Sequence, residues 1–167
     1  MQPQHSLPLR RESRAGYTLV EVSMSTLLVS VLLVSAMNTA GYATRSQVDN
    51  KERAQAKLIA NAMLAEILEL PYQEPTATPV FGPESGEARA TYDDVDDYKL
   101  FSDSPPVDKQ STAIAGGSGL TRSVVVTYVE PNNLTTTSNT DKGIKRITVS
   151  VANKRTQLVN LTTVVVK

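Results

Sequence analysis

The chain contains no cysteine, and its single histidine, His5, lies close to the N-terminus. Without cysteine the fold has no disulfides, so packing must hold it together. The residues after His5 also lack the usual zinc ligands, the cysteine nucleophile and the commonest general base. Basic and acidic residues balance to a formal net charge of zero, so no overall positive charge attracts nucleic acid. We therefore expect neither an enzyme nor a nucleic-acid-binding protein.

One long apolar run is present, from Tyr17 to Met37, and Glu21 is its only charged residue. A helix of roughly 20 residues crosses the hydrocarbon core of a bilayer. Three arginines stand just ahead of the run, which predicts a cytoplasmic N-terminus and an exported C-terminal part: Arg10, Arg11 and Arg14. A carboxylate inside such a span is costly unless it finds a partner, so Glu21 is a candidate functional residue.

The order Gly16-Tyr17-Thr18-Leu19-Val20-Glu21 after this basic segment resembles the leader of type IV prepilins. The resemblance implies that a prepilin peptidase cuts after Gly16 and that Tyr17 becomes the N-methylated mature N-terminus. It also implies that Glu21 directs assembly with other pilin or pseudopilin subunits on an inner-membrane platform. Two features depart from the family pattern: Tyr17 replaces the more frequent phenylalanine, and no proline occurs between residues 9 and 70.

Physical reasoning from the residues points the same way. Cleavage would free an amine at Tyr17, about one helical turn from Glu21, so the amine of a neighbouring subunit could pair with that carboxylate. Losing one partner of such a buried pair costs about 3–5 kcal/mol. Two alternatives stay open: a signal peptide cleaved near 41–43, and an uncleaved membrane anchor. The apolar run is longer than the usual signal-peptide core and contains Glu21, and a plain anchor does not need this residue order.

The sequence divides into four segments: a leader (1–16), a transmembrane and assembly helix (17–43), an exported part of the same helix (44–70) and a globular remainder (71–167). Helix formers dominate 47–70, their apolar residues recur at helical spacing, and Pro71 marks the end. Gly41 could interrupt the helix between its two parts.

The C-terminal part has β character. Ser123–Val129 is β-branched and aromatic, residues 146–151 alternate between apolar and polar, and Leu158–Val166 is expected as an antiparallel partner. A short strand is predicted at Ala88–Tyr92. Loops are predicted over 71–86 and 103–119, together with a polar connection over 131–143. The predicted fold class is α+β, with a long N-terminal helix packed on a small antiparallel sheet.

Four aspartates crowd into one short segment, and they repel one another unless positive charge is near: Asp93, Asp94, Asp96 and Asp97. Carboxylate oxygens suit Ca²⁺, so these residues are a candidate metal site, although the spacing does not match an EF-hand loop. The alternative is a solvated loop whose acids cap turns or pair with Arg89 or Lys99. Apart from this hypothesis, no cofactor is expected.

Three segments between about 60 and 100 resemble minor subunits of the pilin family: Leu64–Ile67 before Pro71-Tyr72, the Gly-Pro-Glu-x-Gly-Glu stretch, and Asp93–Tyr98 with its paired aspartates. They are similar to accessory pilins of the mannose-sensitive haemagglutinin type and to type II secretion minor pseudopilins of the I or V kind. This implies a fibre subunit in the bacterial inner membrane with a periplasmic C-terminal domain. The alternative function is a membrane-tethered adhesin or ligand-binding domain that never enters a fibre.

Overall fold

The computed structural model describes residues 16–74 and 80–167. The leader arginines and the proline-rich stretch at 75–79 lie outside the described residues. The chain forms two compact units, which meet between Ser46 and Gln47, and a single α-helix, α1 (Leu19–Leu68), contributes residues to both. One long helix and an antiparallel sheet of five strands make up the α+β fold that the sequence predicts.

Helix α1 begins at Leu19 and ends at Leu68, and it continues through Gly41 without a break. Its start has a local cause, because the Thr18 hydroxyl accepts a hydrogen bond from the Glu21 backbone N–H at 3.2 Å. That bond satisfies one of the N–H groups that a helix N-terminus leaves unpaired. The C-terminal end comes two residues before the predicted one, just ahead of Pro71.

The part of α1 that belongs to the second unit packs on the sheet through one apolar stripe. Ile59, Met63 and Ile67 are each at most 1% exposed and share a core with Val124 of the central strand. Their spacing of four residues places them on one face of the helix. Leu58, on another face, remains 65% exposed.

The strands are β1 Ser102–Asp103, β2 Leu120–Glu130, β3 Asn133–Thr137, β4 Ile144–Asn153 and β5 Gln157–Val166. The sheet has the order β1-β2-β4-β5, with β3 pairing with the C-terminal end of β2, and all its pairings are antiparallel. On β4 the buried positions alternate with partly exposed positions, as the sequence pattern predicts.

Two expectations about strands were wrong. The predicted strand at Ala88–Tyr92 is a series of turns, in which the Thr91 N–H donates to the Ala88 carbonyl at 2.7 Å. The polar connection after β2 contains β3, which the sequence pattern did not indicate because all five of its residues are exposed. A strand without a buried face lacks the apolar alternation that identifies strands.

Candidate functional site

The first candidate site is the segment that leads into α1. Gly16 and Tyr17 precede the helix, and both are exposed. Nothing within 4 Å would meet a side chain at Gly16. Tyr17 is 84% exposed, and it borders one shallow hollow together with Glu21 and Ser25. The structure therefore places the predicted cleavage residue, the predicted mature terminus and the candidate carboxylate next to one another.

Glu21 lies in the first turn of α1. A negative charge there is favoured by the positive end of the helix dipole, typically by about 0.3–1 kcal/mol. Within 16–74 and 80–167, no hydrogen bond or ion pair engages its side chain. A carboxylate in this position is therefore available to a partner from outside the described chain.

The first part of α1 presents a mostly apolar surface. An 18-residue window has a mean hydropathy of 2.0 and none of it is buried, so this helix is long and apolar enough to span a membrane. Its few hydroxyl groups bond backward within the helix: Ser23 to the Leu19 carbonyl at 2.8 Å and Ser30 to the Thr26 carbonyl at 2.7 Å. Such bonds satisfy hydroxyl groups where no water is available.

The second candidate site is the acidic segment at 93–97, and the structure does not gather its four carboxylates around one point. Asp94 Oδ1 accepts from the N–H groups of Asp96 and Asp97, at 2.6 and 3.3 Å. Asp97 Oδ2 accepts from the N–H groups of Asp93 and Asp94, at 2.9 and 3.1 Å. These two oxygens therefore fix the backbone of the turn that contains the short 3-10 helix Asp96–Tyr98.

Asp96 has a different role. Its carboxylate is 2% exposed, and it forms an ion pair with Lys145 of β4, which is itself 1% exposed. The Lys145 ammonium also donates to the Tyr72 carbonyl and lies 4.2 Å from the centre of the Tyr72 ring. The Gly82 N–H donates to the second Asp96 oxygen at 3.2 Å. This pair connects the acidic loop to the sheet.

A different set of acids comes close together. Glu84, Glu87 and Asp97 offer carboxylate oxygens within 4.8 Å of one another. A shared hydrogen bond with Glu87 raises the pKa of Glu84 to about 7, and burial raises the pKa of Asp97. Within residues 16–74 and 80–167, two buried oxygens have no hydrogen-bond partner, Glu84 Oε2 and Asp93 Oδ1. The calcium hypothesis for the four aspartates stays a prediction.

Sequence reasoning missed a second network of charges, mostly half-buried and centred on two arginines. Arg89 donates to both oxygens of Glu66 on α1, at 2.9 and 2.6 Å, and the Tyr98 hydroxyl donates to Glu66 at 2.6 Å. Burial acts to raise the pKa of Glu66, but these hydrogen bonds and the Arg89 charge outweigh it and hold that pKa below its ordinary value. Arg122, 1% exposed, bonds Asp103 in the same way at 3.0 and 2.5 Å.

Strand alternation was the signal that could have found two of the buried cations. Side chains two or four residues apart in a strand point to the same face of the sheet. Lys145 is two residues before the buried Ile147, and Arg122 is two residues before the buried Val124, so both cations lie on the inner face. A cation at such a position demands an anionic partner.

Comparison with protein-family models, with curated proteins and with solved structures found no match to the chain.

Proposed function

We propose that this chain is a minor pilin or pseudopilin, a structural subunit of a type IV pilus or type II secretion fibre. One observation carries the proposal. A continuous helix, Leu19–Leu68, begins with a fully exposed apolar part, and it follows directly on the Gly16-Tyr17 sequence, with Glu21 as the only acid of its first turn. An ordinary anchor needs the apolar part but not the glycine, the aromatic residue or the acid.

The exposed apolar part explains how such a subunit would work. In the inner membrane, lipid covers this surface, with the N-terminus cytoplasmic and the sheet domain periplasmic. Cleavage by prepilin peptidase after Gly16 then frees an amine on Tyr17, which is methylated. In a fibre, the apolar helices of other subunits replace the lipid, and the assembly platform with its motor supplies the work.

Glu21 makes the exchange selective. Its side chain has no partner among the described residues, so a bundle of apolar helices is a poor environment for it unless a neighbour supplies a positive charge. The freed amine of a neighbouring Tyr17 supplies that charge. Subunits with an intact leader keep their N-terminus on the cytoplasmic side and lack the free amine.

The experiment separates processing from assembly. Gly16→Arg should leave the chain at its full-length mass, since a long cationic side chain replaces the cleavage residue. Glu21→Ala should be cleaved normally but lost from sheared fibres, with incorporation falling at least about a hundredfold for a pair worth about 3–5 kcal/mol. Glu69→Ala is the matched control, because Glu69 is an exposed acid just beyond the other end of α1.

Intact mass spectrometry of the membrane fraction and immunoblots of the fibre fraction provide the readouts. Normal mature mass in the Gly16→Arg chain would remove the cleavage assignment. Normal incorporation of the Glu21→Ala chain would remove the assembly role. A native chain that starts after Gly16 but never appears in any fibre would favour the membrane-tethered binding domain instead.

A further inference from the structure

Strand β5 forms an open edge of the sheet. It pairs with β4 on one side, and no described residue pairs with its other side. A strand edge presents a row of N–H and C=O groups that can pair with another chain. The edge strand at the opposite side of the sheet, β1, has only two residues, whereas β5 has ten.

This edge lacks the usual protective features. Native proteins protect long edge strands with lysines, prolines, bulges or a covering segment. From Leu158 to Val166 the strand contains no charged residue, no proline and no glycine. Its register irregularity lies at its beginning, opposite Val151 and Ala152, which leaves the rest of the strand regular.

The apolar surface of β5 is also incompletely covered. None of its ten residues is buried, although six of them are leucine or valine. On the neighbouring strand β4, by contrast, Ile147, Val149 and Val151 are completely buried. On the core side of β5, Leu161 and Val165 are only partly buried, and on the solvent side Val164 is 37% and Val166 68% exposed. One more strand beside β5 would extend the sheet and cover this surface.

The charges around β5 select among possible occupants. Lys154 and Arg155 precede the strand and are exposed, and Arg146 lies beside Val164 in the pairing with β4. Lys167 follows the strand. Two copies paired antiparallel through β5 would bring Lys154 and Arg155 of one copy towards Lys167 of the other, and like charges in apposition oppose binding.

The acid nearest the C-terminal end of β5, Asp141, offsets part of this charge, because its carboxylate interacts with Lys167. It also accepts from the Tyr72 hydroxyl at 2.5 Å and from the Gly143 N–H at 2.7 Å, and its neighbour Lys142 is an exposed cation, so two lysines outnumber one acid there. The surroundings of the edge are therefore complementary to negative charge.

We propose that the outer edge of β5 binds an extended segment of another protein, uncharged in its middle and acidic at its ends, by adding it as a further strand of the sheet. Backbone hydrogen bonds supply the affinity of this mode, and the flanking charges and alternate side chains supply the selectivity. Because the edge belongs to the sheet domain, it is present whether or not the chain enters a fibre.

The probe is a fluorescent blocked peptide as long as β5, with alternating valine and threonine in the middle and two glutamates at each end. It is titrated with the full chain in detergent micelles, and anisotropy reports binding. Two matched peptides serve as controls: one with lysines in place of the glutamates, and one with N-methylated central amides, which cannot pair as a strand. We expect saturable binding of the acidic peptide alone, together with slower hydrogen exchange of the β5 amides.

A charge-reversal variant tests the selectivity. Lys154→Glu with Arg155→Glu should weaken binding of the acidic peptide by about tenfold, since reversing two surface charges alters several weak ion pairs. It should improve binding of the lysine peptide. The matched control is Arg53→Glu with Lys57→Glu, which reverses the same number of exposed charges on α1 and should leave both affinities unchanged.

Three results would overturn the proposal. The first is no saturable binding of the acidic peptide below about 1 mM. The second is equal binding of the N-methylated or lysine peptide. The third is slow hydrogen exchange of the β5 amides that depends only on the concentration of the chain itself, accompanied by self-association in sedimentation experiments. That result would make a second copy the occupant of the edge.

Discussion

Removing the Lys145 ammonium should destabilise the sheet domain more than any single surface change. Lys145 is 1% exposed and pairs with Asp96, which is 2% exposed. In a Lys145→Ala chain, Asp96 keeps only the Gly82 N–H at 3.2 Å and lies beside Asp94 in the same turn. Breaking a buried pair from one side typically costs about 3–5 kcal/mol, because the remaining charge stays buried without compensation.

The expected cost is a large part of the total stability, since domains of this size unfold with about 5–15 kcal/mol. With an m value near 2 kcal/mol per molar urea, the unfolding midpoint should fall by about 2 M. The chain has no tryptophan, so near-ultraviolet circular dichroism of its tyrosines is the suitable signal. Four of the six tyrosines lie in the second unit, where they report the sheet domain: Tyr72, Tyr92, Tyr98 and Tyr128.

A control variant and a double variant test whether the Lys145–Asp96 ion pair stabilises the fold. Lys142→Ala removes an exposed lysine from the connection just before β4, and its effect should stay within about 0.5 kcal/mol. Lys145→Met combined with Asp96→Asn should cost less than the sum of the two single changes, because neither charge is left alone. If Lys145→Ala costs no more than Lys142→Ala, or if the two single changes simply add, the ion pair does not stabilise the fold as argued.

Two further predictions concern the acidic loop and the core. Burial and the neighbouring Asp96 raise the pKa of Asp94 to about 7 from its ordinary 3.8, so this carboxyl costs stability as pH rises from 3.8 to 7 and the cost persists above 7. Asp94→Asn keeps the oxygen acceptor, and it should stabilise the domain by about 1–2 kcal/mol at pH 8 but hardly at pH 4. Urea unfolding at both pH values tests this prediction. An equal effect at the two pH values would contradict it. Met63→Ala should lower the free energy of unfolding by about 2–5 kcal/mol, because Met63 is fully buried on α1. The control Leu58→Ala, at 65% exposure on the same helix, should change it by no more than about 0.5 kcal/mol. Similar losses for both variants in urea unfolding would show that α1 does not pack on the sheet as described.

Regular elements with a buried face could be predicted from the sequence. The stripe that contains Ile59 and Met63 and the alternation that contains Ile147 and Val149 both depend only on local spacing. Strand β3 has no buried face, so its pattern resembles a polar loop. The segment 88–92, predicted as a strand, forms turns instead. Its Arg89 pairs with Glu66, a contact between residues distant in sequence that a local pattern does not reveal.

The candidate sites also differ in how far apart their residues lie in the sequence. Gly16, Tyr17 and Glu21 are neighbours in sequence, so the structure only had to bring them to the start of one helix. The partner of Asp96 lies 49 residues away, and nothing in the local sequence of either residue indicates the other. Alternation could place Lys145 on the buried face, but tertiary folding alone determines which carboxylate meets it.

The absence of cysteine gives these buried charges their importance. The connection between α1 and β1 has no strand and only one turn of 3-10 helix among its described residues. Asp94 and Asp97 hold that turn by accepting backbone N–H groups, and Asp96 fastens it to Lys145 on β4. A calcium ion shared by all four aspartates would have to displace several of these bonds, whose loss leaves buried groups unpaired at about 1–3 kcal/mol each.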